Sequence, residues 1–211
     1  MYLYNPIKML LFEKMNEIVF YTILFFAIII VLTKYDSHTS KLTLVESLVD
    51  NGGHLVQNLP NKERAADIIA DLKSKTTMLC KKMLDDYPNK KCVRRLNRRF
   101  NPDNIMESDS NSKHTSYSIN KGEKVVICLR SKDEKKELID PNTIMFVTLH
   151  ELSHIMTKSV GHTDEFWDNF RFILKEAVKN NIYNCVDYKR NPQKYCGIEV
   201  TDNPISCADL S

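Results

Sequence analysis

Two imidazoles four residues apart, with a carboxylate beside the first, are the chemistry-bearing feature of this sequence: His150, Glu151 and His154 in the run His-Glu-Leu-Ser-His. On a helix of 3.6 residues per turn, positions i and i+4 share a face, so both imidazoles can ligate one ion while Glu151 projects beside them. Neutral imidazole suits Zn²⁺, and a site with three protein ligands keeps a fourth position for water, whose pKa the metal lowers to about 7. Glu151 then takes the proton of that water, and the chemistry is metal-assisted hydrolysis of an amide. Composition predicts on the order of 0.01 chance occurrences of the pattern, so its local context decides the reading.

That context is a helix. Asp140-Pro141 supplies an N-cap and a proline at the first helical position, and Asn142 to Thr157 follows without Gly or Pro. The other residues of the segment, among them Ile144, Met145, Phe146, Val147, Leu149, Leu152, Ile155 and Met156, are apolar on nearly every side, which is the pattern of a core helix. Three polar groups on such a helix need partners, because burying them alone is costly. The third ligand is expected downstream at His162, where Gly161 can end the helix in a left-handed conformation and turn the chain back toward the metal. Asp164 or Glu165 could ligate instead. Thr163 reads as the N-cap of a following helix whose Phe166, Trp167, Phe170, Ile173, Leu174, Ala177 and Val178 recur at helical spacing, as core residues do.

The run His150 to His154, then Gly161-His162, then Phe166-Trp167, resembles the WLM metallopeptidases, relatives of the SprT-like proteases. The segments Thr115 to Arg130, Tyr195-Cys196-Gly197 and Asp202-Asn203-Pro204 extend the likeness to roughly residues 60 to 207. The resemblance implies an α+β, zincin-like domain with one zinc per chain, and a strand before the active helix that pairs with an extended substrate. Val125 to Arg130 is the candidate for that edge. Compact WLM-like proteins also occur in large DNA viruses. Here His162 follows His154 by eight residues, where many WLM sequences have six.

Around the motif, Glu63 to Asp86 reads as a helix ended by Tyr87-Pro88, and Thr115 to Ile119 with Lys124 to Leu129 reads as a β-hairpin about Asn120-Lys121-Gly122. Lys90 to Arg99 is a basic-faced helix; it is either a solvated face or a site for nucleic acid, anionic lipid or an acidic partner. The net charge of +3 makes no argument for nucleic acid by itself.

Ile18 to Thr33 carries no charge and, as a helix, spans about 24 Å against a hydrocarbon core of roughly 30 Å. It reads as an uncleaved single-pass anchor contacting membrane lipid, because no small-x-small cleavage pattern follows it. The expected organisation is a tail over 1–17, the anchor over 18–33, a connector over 34–60 and the catalytic domain over 61–211. Lys8 and Lys14 on one side balance Lys34 and Lys41 on the other, and no Asn begins an Asn-x-Ser/Thr acceptor, so a cytosolic-facing catalytic domain with reduced cysteines is expected. The six cysteines form no CxxC pair, so a Cys-type zinc ribbon is unsupported, and disulfides stay open for a lumenal domain.

The chain therefore reads as a membrane-anchored zinc endopeptidase. His150, His154 and His162 hold the metal, Glu151 is the general base, and Tyr195 is a candidate oxyanion donor whose alternative is packing. A zinc-containing binding module without turnover, or a membrane scaffold, are the competing classes; the presence of Glu151 speaks against the first, since structural zinc needs no base.

Overall fold

The computed structural model describes residues 6–39 and 42–210, with side chains for 14–30 and 42–208. The chain divides into two units, residues 1–41 and 42–211. The first contains one helix, α1 (Pro6–Thr39), on which Ile18, Phe20 and Phe25 are exposed. The expected anchor at Ile18 to Thr33 is thus helical. Among the described residues, however, no helix is long and apolar enough to cross a membrane, so the spanning helix is not borne out. The side chains of the last residues of that run, 31–33, lie outside those described.

The second unit is a mixed α+β fold. Strands β1 (Leu42–Glu46) and β2 (Gly53–Gln57) form an antiparallel hairpin within what the sequence suggests is a connector. Asn51 makes the turn at φ 54°, a conformation that asparagine tolerates. The hairpin is tied to helix α2 (Lys62–Asp86), because the Ser47 hydroxyl and the Leu48 N–H both donate to the Asp67 carboxylate, at 2.7 and 3.0 Å. Helix α2 turns Ala66, Ile69, Leu79 and Met83 into the core, and α3 (Lys91–Arg99) adds Val93 and Leu96.

Strands β3 (Ile105–Glu107), β4 (Tyr117–Ile119) and β5 (Lys124–Ile127) form a sheet in the order β3-β5-β4, parallel between β3 and β5 and antiparallel between β4 and β5. This order corrects the assignment of Val125 to Arg130 as the open edge: β5 is paired on both sides, and Val125 and Ile127 are fully buried. Beyond it, the Arg130 guanidinium lies 3.0 Å from the Glu107 carboxylate, with both side chains almost wholly buried. The edges are β3 and β4, and β4 is the one that borders the cleft. The β4–β5 turn uses Gly122 at φ +114°, where an added Cβ would lie 2.8 Å from the Arg99 carbonyl oxygen.

Helix α4 (Pro141–Met156) packs on this sheet and against α5 (Asp164–Lys179), and a second antiparallel hairpin, β6 (Gln193–Tyr195) and β7 (Ile198–Val200), closes the domain. Between α4 and α5, the Phe146 ring meets Phe170 at 5.3 Å and Tyr188 at 4.8 Å. Disulfides join Cys128 to Cys196 and Cys185 to Cys207, contrary to the expectation of reduced thiols. Cys80 and Cys92 are free. Pairs 68 and 22 residues apart come together only through the fold, so cysteine spacing cannot reveal them.

Candidate metal centre and active-site cleft

The helix that carries the motif begins as its sequence requires. The Asp140 carboxylate accepts the Thr143 N–H at 2.8 Å and its hydroxyl at 3.0 Å, and Pro141 occupies the first turn. Ten residues on, His150 and His154 share one face, with their Nε2 atoms 3.2 Å apart. After the helix, Gly161 adopts φ +85° with nothing near the place a Cβ would fill, so its requirement is backbone conformation and not space. The turn delivers His162, whose Nε2 lies 3.1 Å from that of His150.

Among the described residues these three histidines are the group able to hold a metal, with donor atoms within 4.8 Å of one another. Burial, with the neighbouring imidazoles, lowers the pKa of His150 to about 3, and burial lowers that of His154 to about 4, so both are neutral near pH 7. Converging imidazole nitrogens without protons repel unless a cation sits among them, and nitrogen donors of this kind suit Zn²⁺. Asp164 and Glu165, the alternative ligands, belong to the exposed first turn of α5.

Glu165 has a different task. Its carboxylate accepts the N–H groups of Lys158 and Ser159 at 3.0 and 3.2 Å and the Ser159 hydroxyl at 3.0 Å. From the other side, the Lys121 ammonium donates to the carbonyls of Thr157, Lys158 and Ser159 at 3.0, 3.2 and 2.7 Å. A cation at these carbonyls satisfies the C-terminal end of α4. Arg95 completes the clamp, donating to the Met156 carbonyl at 2.8 Å and approaching Glu165 at 3.5 Å. The loop that presents His162 is therefore held at its amides and its carbonyls. In the sequence Arg95 belongs to a basic face and Lys121 to a turn, and neither pattern signals this loop.

Phe166 was expected to be core, and it is fully buried. Its ring also touches all three imidazoles, at 4.9 Å from His150, 4.3 Å from His154 and 4.7 Å from His162, and is stacked on His154. An aromatic wall behind the three imidazoles limits their rotamers and keeps water from that side.

Glu151 is almost completely buried, and burial raises its pKa to about 7, against which the Ser118 N–H donates to the carboxylate. A base poised near neutral pH is suited to moving a proton in both directions. The cleft over it, about 670 Å³, has α4 as its floor, residues 115–118 of the β4 segment on one wall and the β6–β7 hairpin on the other. Tyr195 lines this cleft. Its hydroxyl lies 2.6 Å from the Ser116 Oγ. In Lys90 to Arg99, Arg95 serves the clamp and the Lys90 ammonium sits 4.1 Å over the Phe172 ring, so two of the six cations are engaged within the domain.

Residues 50–205 match the model of the WLM domain family. The chain belongs to that family. The WLM match spans every element from β2 to β7, including the three histidines and Glu151. An uncharacterized protein of Acanthamoeba polyphaga mimivirus is 34% identical to this WLM chain over 173 residues, which are 78% of this chain and 85% of that one. An uncharacterized protein of Invertebrate iridescent virus 3 is 36% identical over 86 residues, 39% of this chain and 50% of the viral protein. The crystal structure of Wss1 from Saccharomyces cerevisiae superposes with a TM-score of 0.46 at 22% identity, covering 60% of this chain and 87% of that one. Relatives of this WLM domain therefore occur in large DNA viruses.

Proposed function

We propose that the WLM domain is a zincin-type, zinc-dependent endopeptidase. The observation that carries this reading is the convergence of the His150, His154 and His162 Nε2 atoms in the cleft that Glu151 shares. Zn²⁺, when held by these three nitrogens, supplies a Lewis acid that polarises the scissile carbonyl and brings the pKa of a water to about 7.

The remaining steps belong to the chain. Glu151 takes the proton of the attacking water on its carboxylate and passes it to the nitrogen of the leaving amine, a shuttle favoured by a pKa near 7. An extended substrate lies along β4, the edge of the sheet that borders the cleft. In an antiparallel pair alternate residues turn their N–H and C=O groups away from the partner, and the Ser118 N–H is already directed from that edge at Glu151. Pairing through the main chain holds a peptide irrespective of most of its side chains. Tyr195, fixed by Ser116, is the hydroxyl in the cleft that can donate to the developing oxyanion.

The direct test is metal analysis of the purified full chain followed by incubation with an unfolded protein substrate. One zinc per chain and chelator-sensitive internal cleavage are expected. Stoichiometric zinc with no cleavage of any unfolded substrate would instead make the domain a zinc-containing binding module.

A further inference from the structure

The cleft is chemically lopsided. Val147 lies three residues before His150 and four before Glu151, so it shares their helix face one turn earlier and lines the cleft beside the base. Opposite stands the β6–β7 hairpin. Its register pairs Tyr195 with Ile198 and Gln193 with Val200, and paired residues in an antiparallel ladder project to the same face. Ile198 and Val200 therefore share the face of Tyr195, whose hydroxyl reaches Ser116 across the cleft.

Ile198 remains 53% exposed and Val147 and Val200 only partly buried, so three aliphatic side chains beside the base still face water. One further charge borders them: Glu199 also lines the cleft, although strand alternation sets it off the face that Ile198 and Val200 share and its carboxylate is exposed to water. Lys121 lies toward His154, with its ammonium bound to three carbonyls. An acidic substrate side chain placed between Val147 and β7 would lose water and gain no partner, and a basic one would meet only the solvated carboxylate of Glu199, whereas an aliphatic or aromatic one would cover the exposed apolar surface.

We infer that the cleft selects a large apolar residue next to the scissile bond, gripped between Val147 of α4 and Ile198 and Val200 of β7. This inference rests on the peptidase reading and adds the substrate class: extended segments that are normally core, exposed in unfolded or partly unfolded proteins. Pairing along β4 supplies general affinity, and the aliphatic grip chooses the bond.

The test uses the zinc-loaded full chain and a peptide mixture in which the residues flanking one central bond are varied, with cut sites assigned by mass spectrometry. Leu, Met or Phe at one flanking position should be cleaved at least about 10-fold faster than Asp, Lys or Ser there, the scale on which hydrophobic pockets discriminate. Ile198→Lys, at a half-exposed position that tolerates a polar residue, should shift the preference at that same position toward Asp and Glu; Val200→Lys should do so in parallel. Cleavage spread evenly over apolar and charged residues, or a preference unmoved by both variants, would overturn the grip while leaving the peptidase reading standing. Absence of any cleavage by the zinc-loaded chain would remove both.

Discussion

The backbone N–H of Ser118 faces the carboxylate of Glu151 and favours its charged form, so the edge strand and the proposed base act on each other within one cleft. The base is oriented by the strand on which the substrate is proposed to lie. Glu151→Gln keeps the shape and the three imidazoles but cannot take a proton. It should retain one zinc per chain and lose about 10²- to 10⁴-fold in kcat. Undiminished turnover in a zinc-replete sample would exclude Glu151 as the base.

His162 and Glu165 separate ligand from clamp. His162→Ala leaves two imidazoles, and zinc affinity measured against a competing chelator should fall by well over the roughly 10- to 100-fold typical of changes outside the ligand set. Glu165→Ala frees the amides of Lys158 and Ser159 but removes no ligand, so its loss should stay within that range and zinc should still reach one per chain at saturation. If Glu165→Ala empties the site while His162→Ala does not, the third ligand is a carboxylate.

In the metal-free chain, acid should act through the same residues. Folding lowers the pKa of His150 and His154 from 6.5 to about 3 and 4, and raises that of Glu151 from 4.5 to about 7. Between pH 4.5 and 6.5 the unfolded chain binds two protons on the histidines that the folded chain does not, and lacks the one on Glu151, a net difference of 2 − 1 = 1. Stability should therefore rise with pH across this window by about 1.4 kcal/mol per pH unit. Urea unfolding of the metal-free protein checks this. Glu151→Gln removes the opposing proton and should steepen the slope; a slope that stays flat or reverses contradicts the burial of the two imidazoles.

Cys196 anchors the turn of the β6–β7 hairpin to Cys128 at the end of β5, closing a loop of 68 residues. Neither cysteine is a metal donor. Cys196→Ser should cost roughly 4 kcal/mol on the chain-entropy estimate and slow peptide cleavage by loosening the cleft wall, with zinc content unchanged. Loss of zinc in parallel with cleavage would show that the hairpin supports the ligands as well.

Tyr195→Phe distinguishes oxyanion donation from packing. The ring is fully buried and its hydroxyl meets Ser116, so the variant should fold. A donor to the oxyanion should cost about 10²- to 10³-fold in kcat with KM little changed. A loss smaller than tenfold would assign the hydroxyl to holding the hairpin against β4.

Local rules made much of this protein legible from its residues. Asp140-Pro141 starts α4, the i and i+4 spacing puts His150 and His154 on one face, and Gly161 turns the chain so that His162 can join them. Each depends on neighbours within a dozen positions, where helix geometry and glycine conformation decide the outcome. The tertiary structure decided what depends on contacts between distant segments. It set β5 in the middle of the sheet and left β4 as the edge beside the cleft, because the parallel β3 pairs across a separation that no turn signal records. It also brought Lys121 and Arg95 to the loop of His162, stacked Phe166 on His154, and joined cysteines 68 residues apart. Periodicity tells only that Phe166 is buried and that Arg95 lies on a basic helix. Which groups they meet is settled by packing α3, α4 and α5 together, and a pattern along one chain segment carries no such information.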